Sequence, residues 1–79
     1  MRVHLRYFAA LRERLGTGEE RALRAGTTVG ALWESIVREQ PAIQRLHVRF
    51  AVNERYVEPS HELAEGDEVA FFPPVSGGG

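Results

Sequence analysis

Thr28-Val29-Gly30-Ala31-Leu32-Trp33-Glu34-Ser35-Ile36-Val37-Arg38-Glu39-Gln40-Pro41 is the stretch on which the fold turns, because the hydrophobic period changes here. Val29, Leu32, Trp33 and Ile36 recur at helical spacing, while Glu34, Ser35, Arg38 and Glu39 fall on the opposite side. The spacing predicts an amphipathic helix with one apolar stripe to bury. A hydroxyl from Thr27 or Thr28 suits the N-cap, Glu34 and Arg38 stand at i,i+4 for a favourable pair, and Pro41 marks the end. Trp33 lies on the stripe and reads as core.

The residues on either side alternate with period two. Upstream, Val3, Leu5 and Tyr7 share one parity and Arg2, His4, Arg6 and Phe8 the other, the mark of a half-buried strand. A helical turn is expected over residues 9–15, stopped by Gly16, and a weaker strand over residues 19–25 between Gly18 and Gly26. Downstream, Leu46, Val48, Phe50 and Val52 alternate with His47, Arg49 and Ala51. Asn53 and Glu54 read as a turn, Tyr56 and Val57 as a short extended piece, and residues 59–66 as a polar loop apart from Leu63. In the last strand, residues 68–72, Val69 and Phe71 face one way and Glu68, Ala70 and Phe72 the other, before Pro73 and Pro74 end regular pairing. A hairpin, a helix and further strands make an α+β fold, with the helix packed across one face of a mixed sheet. That order is the β-grasp, or ubiquitin-like, arrangement.

A chain of 79 residues suffices for one domain, assigned to residues 1–72, and a large enclosed active site is not expected. No apolar run is long enough for a membrane span and no targeting segment is visible, so the expected setting is cytoplasmic, with no membrane partner. The net charge of -1 argues against nucleic acid as a partner. Without cysteine the chain holds no thiol nucleophile or thiolate metal site, and all ten basic residues are arginine, so no side-chain lysine is available as an acceptor. His4, His47 and His61 lack ligand spacing, and no metal is expected. Neither Ser35 nor Ser76 has an identifiable base, and Glu65, Asp67 and Glu68 read as a solvated acidic turn.

Residues 73–79, Pro73-Pro74-Val75-Ser76-Gly77-Gly78-Gly79, read as a functional tail. Two prolines favour an extended exit, and three glycines carry no side chain to collide with the walls of a narrow tunnel. Seven extended residues reach at most roughly 25 Å, enough to enter a partner's interior. The same composition also suits a frayed terminus or a linker remnant. Its position directly after a proline-stiffened strand exit, with a carboxylate as the one group at the tip, favours the tail.

Gly66-Asp67-Glu68-Val69-Ala70-Phe71-Phe72-Pro73-Pro74-Val75-Ser76-Gly77-Gly78 resembles the C-terminal signature of molybdopterin synthase small subunits. Tyr7-Phe8-Ala9, Leu11-Arg12-Glu13, Thr28-Val29 and Ala51-Val52-Asn53 are similar to that family's pattern too, so the resemblance spans the chain. It implies a sulfur carrier in molybdenum cofactor biosynthesis. In such a family an activating enzyme couples the terminal glycine to AMP from ATP, because a carboxylate is a poor electrophile. Sulfur from a sulfurtransferase or cysteine desulfurase then displaces AMP and leaves a C-terminal thiocarboxylate. The synthase large subunit accepts that sulfur for the dithiolene of molybdopterin, in a heterotetramer. The carrier is not catalytic alone and binds no cofactor, since ATP belongs to the activating enzyme; this chain has no phosphate loop of its own. The family ends in Gly-Gly whereas this chain ends Gly77-Gly78-Gly79, so either Gly79 carries the sulfur or it is trimmed and Gly78 does. Destinations in thiamine synthesis, tRNA thiolation or protein conjugation remain as alternatives, as does an interaction module with an inert tail.

Parity marks a second surface. If Leu5, Tyr7, Val48, Phe50, Val69 and Phe71 face the helix, then Phe8, Ala70 and Phe72 lie on the other face of the sheet, with both aromatic rings exposed unless Phe8 tucks under a loop and Phe72 packs locally. With Pro73, Pro74 and Val75 they make the expected partner-binding site, and Arg6 and Arg49 stand beside it.

Overall fold

A computed structural model describes residues 1–73; residues 74–79 lie outside the described residues. The elements are β1 (Arg2–Tyr7), α1 (Ala10–Leu15), β2 (Gly18–Ala22), α2 (Val29–Glu39), a 3-10 turn (Pro41–Ile43), β3 (Arg49–Val52), β4 (Arg55–Val57) and β5 (Glu68–Phe72). One sheet takes the order β2-β1-β5-β3-β4. β1 and β5 run parallel at its centre, and the other neighbours are antiparallel. This is the expected α+β β-grasp with α2 across one face.

The core is built by the inward parity of each strand meeting the stripe of α2. Val3, Leu5 and Tyr7 of β1, Val69 and Phe71 of β5, and Phe50 and Val52 of β3 bury themselves against Val29, Leu32 and Ile36, with Leu11, Ile43 and Leu63 closing the sides. Phe71 is the hub: its ring centroid lies 5.8 Å from Tyr7, 5.8 Å edge-on from Phe50 and 5.3 Å from the half-buried Trp33.

Helix α2 starts where its free amides find acceptors. Thr28 is the N-cap, its Oγ1 accepting from Ala31 N–H at 3.1 Å, while Val29 and Gly30 N–H donate to the carbonyls of His61 and Pro59. A Cβ at Gly30 would stand 3.0 Å from Pro59 Cβ and carbonyl oxygen, so a larger residue there would push the polar loop a few tenths of an ångström away from the helix. No Glu34–Arg38 ion pair forms among the described residues. The helix end is held instead by Arg21 of β2, which grips both carboxylate oxygens of Glu39 and also Glu19.

Two strands are shorter than the alternation predicts. β2 ends at Ala22, because the Arg24 carbonyl accepts from both the N–H and the hydroxyl of Thr27 and closes a turn, with Gly26 at φ 87°. β3 begins at Arg49 instead of Leu46. Arg49 pairs with Phe72, so Val48 would face Pro73, which has no N–H to continue the ladder. Leu46 and Val48 still pack against the core without strand partners.

The acidic turn is not simply solvated. Asp67 is the buried charged residue among those described: its Oδ1 accepts from Asn53 Nδ2 at 2.9 Å and its Oδ2 from Ala64 N–H at 2.8 Å. Asn53 Oδ1 in turn accepts from Glu68 N–H at 3.0 Å, which pins the start of β5 to the β3–β4 turn. Glu65 accepts from the Arg2 N–H. The turn itself places Asn53 and Glu54 at φ 50° and 71°, the left-handed pair of a two-residue hairpin. Ala9 has φ 53° and ψ -129°, a region that costs a non-glycine residue of order 1–3 kcal/mol.

Asp67→Ala is expected to lower stability by about 2–3 kcal/mol in urea denaturation, since it leaves a side-chain amide and a backbone N–H without their acceptor. A second expectation concerns Tyr7, whose hydroxyl donates to Glu19 at 2.9 Å. Burial, and then the hydrogen bond to that carboxylate, push its ionisation well above the ordinary tyrosine range. Below pH about 10 both folded and unfolded chains keep the proton; above it the unfolded chain loses the proton first, so stability falls as pH rises. Tyr7→Phe should flatten that alkaline slope, as followed by urea midpoints between neutral and strongly alkaline pH.

Candidate functional site

The site is built on the outward parity of the sheet, at the end where β5 gives way to Pro73. Because Val69 and Phe71 are committed to the core, Ala70 and Phe72 must point to the other side. Phe8, the residue after β1, donates its N–H to the Phe71 carbonyl at 3.3 Å and so extends the parallel pairing by one position. The Phe8 and Phe72 rings consequently stack, with centroids 4.7 Å apart and planes within 12°.

That stacking corrects one expectation. Phe8 and Phe72 are half-buried, not openly exposed, because each covers a face of the other; Ala70 and Pro73 are half-buried as well. Among the described residues the large apolar side chain that does stand open is Tyr56 of β4, 70% exposed, its ring centroid 6.1 Å from Phe72. Alternation does not mark Tyr56, because a three-residue strand is too short to assign a face. Only the register places it: Tyr56 pairs with Ala51, which pairs with Ala70, which pairs with Arg6. Ala51 is buried, although it lies on the outward parity, between Ala70 and Tyr56.

The result is a patch with small residues at its centre and the three rings of Phe8, Phe72 and Tyr56 along one border. Cations flank it: the Arg6 guanidinium lies 5.4 Å from the Phe8 ring centroid, and that of Arg49 lies 5.9 Å from Tyr56. Arg6 also approaches Glu68 at 4.0 Å. Both arginines stand where the sequence reading put them. Of the sequence-predicted site, Phe8, Ala70, Phe72 and Pro73 come together here, whereas Pro74, Val75, Gly77, Gly78 and Gly79 lie outside the described residues.

Chemically, the patch can dock. Among the described residues no three His, Cys, Asp or Glu are gathered for a metal, and every buried side-chain polar atom has a partner. No helix among them is long and apolar enough to cross a membrane.

Comparison with known proteins agrees over nearly the whole chain. The ThiS family matches residues 5–78. The molybdopterin synthase sulfur carrier subunit of Escherichia coli is 38% identical over 76 residues, covering 91% of this chain and 94% of that protein. A solved structure from Pyrococcus furiosus, described as a putative molybdopterin converting factor subunit 1, superposes with a TM-score of 0.84 at 35% identity, covering 95% of this chain and 99% of that one. Small archaeal modifier protein 1 of Haloferax volcanii superposes with a TM-score of 0.80 at 27% identity, covering 94% and 98% of the two chains.

The geometry separates the two adjacent phenylalanines energetically. Phe71→Ala empties a fully buried hub and should cost about 3–5 kcal/mol, while Phe72→Ala removes an outer stacking contact worth about 0.5–1.5 kcal/mol beyond its modest burial. Urea denaturation of the two variants checks the contrast.

Proposed function

The chain belongs to the ThiS family, and from that premise we propose that it is the sulfur carrier subunit of a molybdopterin synthase. The observation that carries this reading is the full-length identity to the E. coli carrier subunit, together with an outward patch that adjoins the strand exit into the glycine tail.

In the proposed cycle the terminal glycine carboxylate attacks the α-phosphorus of ATP in an activating enzyme, and pyrophosphate leaves. A sulfur donor, a sulfurtransferase or cysteine desulfurase carrying a persulfide, then attacks the acyl carbon. The C–O bond to AMP breaks, AMP leaves with the bonding pair, and a thiol of the donor or of a small reductant cleaves the S–S bond of the resulting acyl disulfide, freeing a thiocarboxylate on this chain and leaving the donor sulfur in a disulfide with that thiol. Threaded into the synthase large subunit, that sulfur becomes part of the dithiolene of molybdopterin. The chain's own contribution is positioning. Docking through Phe8, Ala70, Phe72 and Tyr56 places the exit at Pro73 against the partner, and tethering raises the effective concentration of the sulfur there. The chain binds no cofactor; ATP is held by the activating enzyme. The proposed setting is the cytoplasm, where ATP is at hand.

Two further points bear on particular details. The ThiS match runs to Gly78, the residue that would carry the sulfur if Gly79 is removed. The structural likeness to a small archaeal modifier supports a second reading, transfer of the activated terminus to lysines of other proteins.

Incubation with ATP, an activating enzyme and a sulfur source, followed by intact-mass measurement, should show replacement of one oxygen by sulfur, and tandem fragmentation should place it on Gly79 or Gly78. A chain that gains no sulfur would be an inert module, and amide-linked adducts without sulfur would favour conjugation. Phe72→Ala should weaken large-subunit binding by about tenfold or more while leaving adenylation largely intact; undiminished affinity would reject the docking face.

A further inference from the structure

Strands β3 and β4 part after Phe50 and Val57, the last pair of their ladder. In register the next positions would set Arg49 against Glu58 and Val48 against Pro59. Pro59 has no N–H to give, its carbonyl accepts from the Gly30 N–H, and the Glu58 carbonyl accepts from the His61 N–H. The chain after β4 is thus drawn away to the start of α2. It leaves an open groove of about 340 Å³, with Val48, Phe50 and Val57 as apolar lining and Arg49, Tyr56 and Glu58 around them. Arg49 and Tyr56 belong to the docking patch as well, and Arg49 pairs with Phe72 at the strand exit. The groove therefore continues the patch toward the edge of the sheet.

Charge on the outward face of the sheet is matched everywhere but here. Arg2 reaches Glu20 at 3.3 Å and Arg6 reaches Glu68 at 4.0 Å. Arg49, the third arginine of that face, makes no ion pair among the described residues, not even with Glu58 of the same groove. Its guanidinium lies instead over the Tyr56 ring at 5.9 Å. A neutral ring orients the cation without cancelling its charge, and the fork of N–H donors suits a carboxylate held by two parallel bonds.

We propose that this groove receives a segment of the synthase large subunit that carries an aspartate or glutamate, its carboxylate paired with Arg49 and an apolar side chain beside it over Val48 and Val57. The proposal rests on the sulfur-carrier reading and adds a charged anchor to the aromatic docking face, continuous with it through Tyr56. A carboxylate arriving there meets attraction from Arg49 and repulsion from Glu58, so the two residues have opposite signs in the test.

Titration of the full-length chain and its variants against the purified large subunit, repeated over a range of salt concentrations, tests this, with thermal midpoints measured alongside. Arg49 is exposed at the first position of its strand, so its replacement leaves the core intact. Arg49→Gln should bind about tenfold more weakly and lose part of the salt dependence that the wild-type chain shows, and Arg49→Glu should bind more weakly still. Glu58→Gln should bind several-fold more tightly. Wild-type affinity in Arg49→Gln would overturn the proposal, as would weaker binding by Glu58→Gln. Weakened binding by Arg49→Gln with the salt dependence of the wild type also overturns it, because Arg49 then acts only by positioning Tyr56. Phe72→Ala separates the two levels: weakened binding there with unaltered binding by both Arg49 variants sinks this inference alone. A wild-type chain that does not bind the large subunit sinks the carrier reading and this inference with it.

Discussion

The parallel ladder between β1 and β5 is the constraint from which the rest follows. It joins the first strand to the last, so no local sequence preference can form it, and the hydrophobic gain of closing the core must hold it. Period two then leaves no freedom. Once Val69 and Phe71 are buried under α2, Ala70 and Phe72 face outward, and a slip of one residue would exchange a core ring for a surface one. Phe71 resists that slip because Tyr7, Trp33 and Phe50 surround its ring. The outward direction of Phe72, and with it the place where the chain leaves the sheet, is therefore set by packing on the opposite face.

How much of this was legible in the sequence depended on whether the deciding contact was local. The period of α2, its end at Pro41 and the faces of β1 and β5 are properties of short windows, and the structure has them where the alternation put them. The limit of β2 is a local turn, Thr27 closing on Arg24, but such a turn leaves no mark in the alternation. The limit of β3 is not local: it is set by Pro73 coming opposite Val48 across the sheet. The same holds for polar residues: Asp67 reads as one acid among three, and only the approach of Asn53 turns it into a buried pin. On the docking patch, Phe8, Ala70 and Phe72 could be found by parity, but their mutual stacking and the neighbouring Tyr56 required strand order. The glycines on which the chemistry depends were read from composition and resemblance alone, since they fall outside the described residues.

The two ends of β5 divide the work of the strand. At Glu68 the backbone is tied through Asn53 and Asp67 by directional hydrogen bonds, which fix register at low tolerance for movement. At Phe72 the ladder stops on a proline, and the outward contacts are ring stacking and flanking guanidinium groups, which tolerate small shifts and present apolar area. A strand anchored the other way round would spend its directional bonds where a partner must dock and leave its register to a frayed start. Here the bonds that cannot stretch lie at the end away from the exit, and the surface at the exit is left for contacts that another protein can complete.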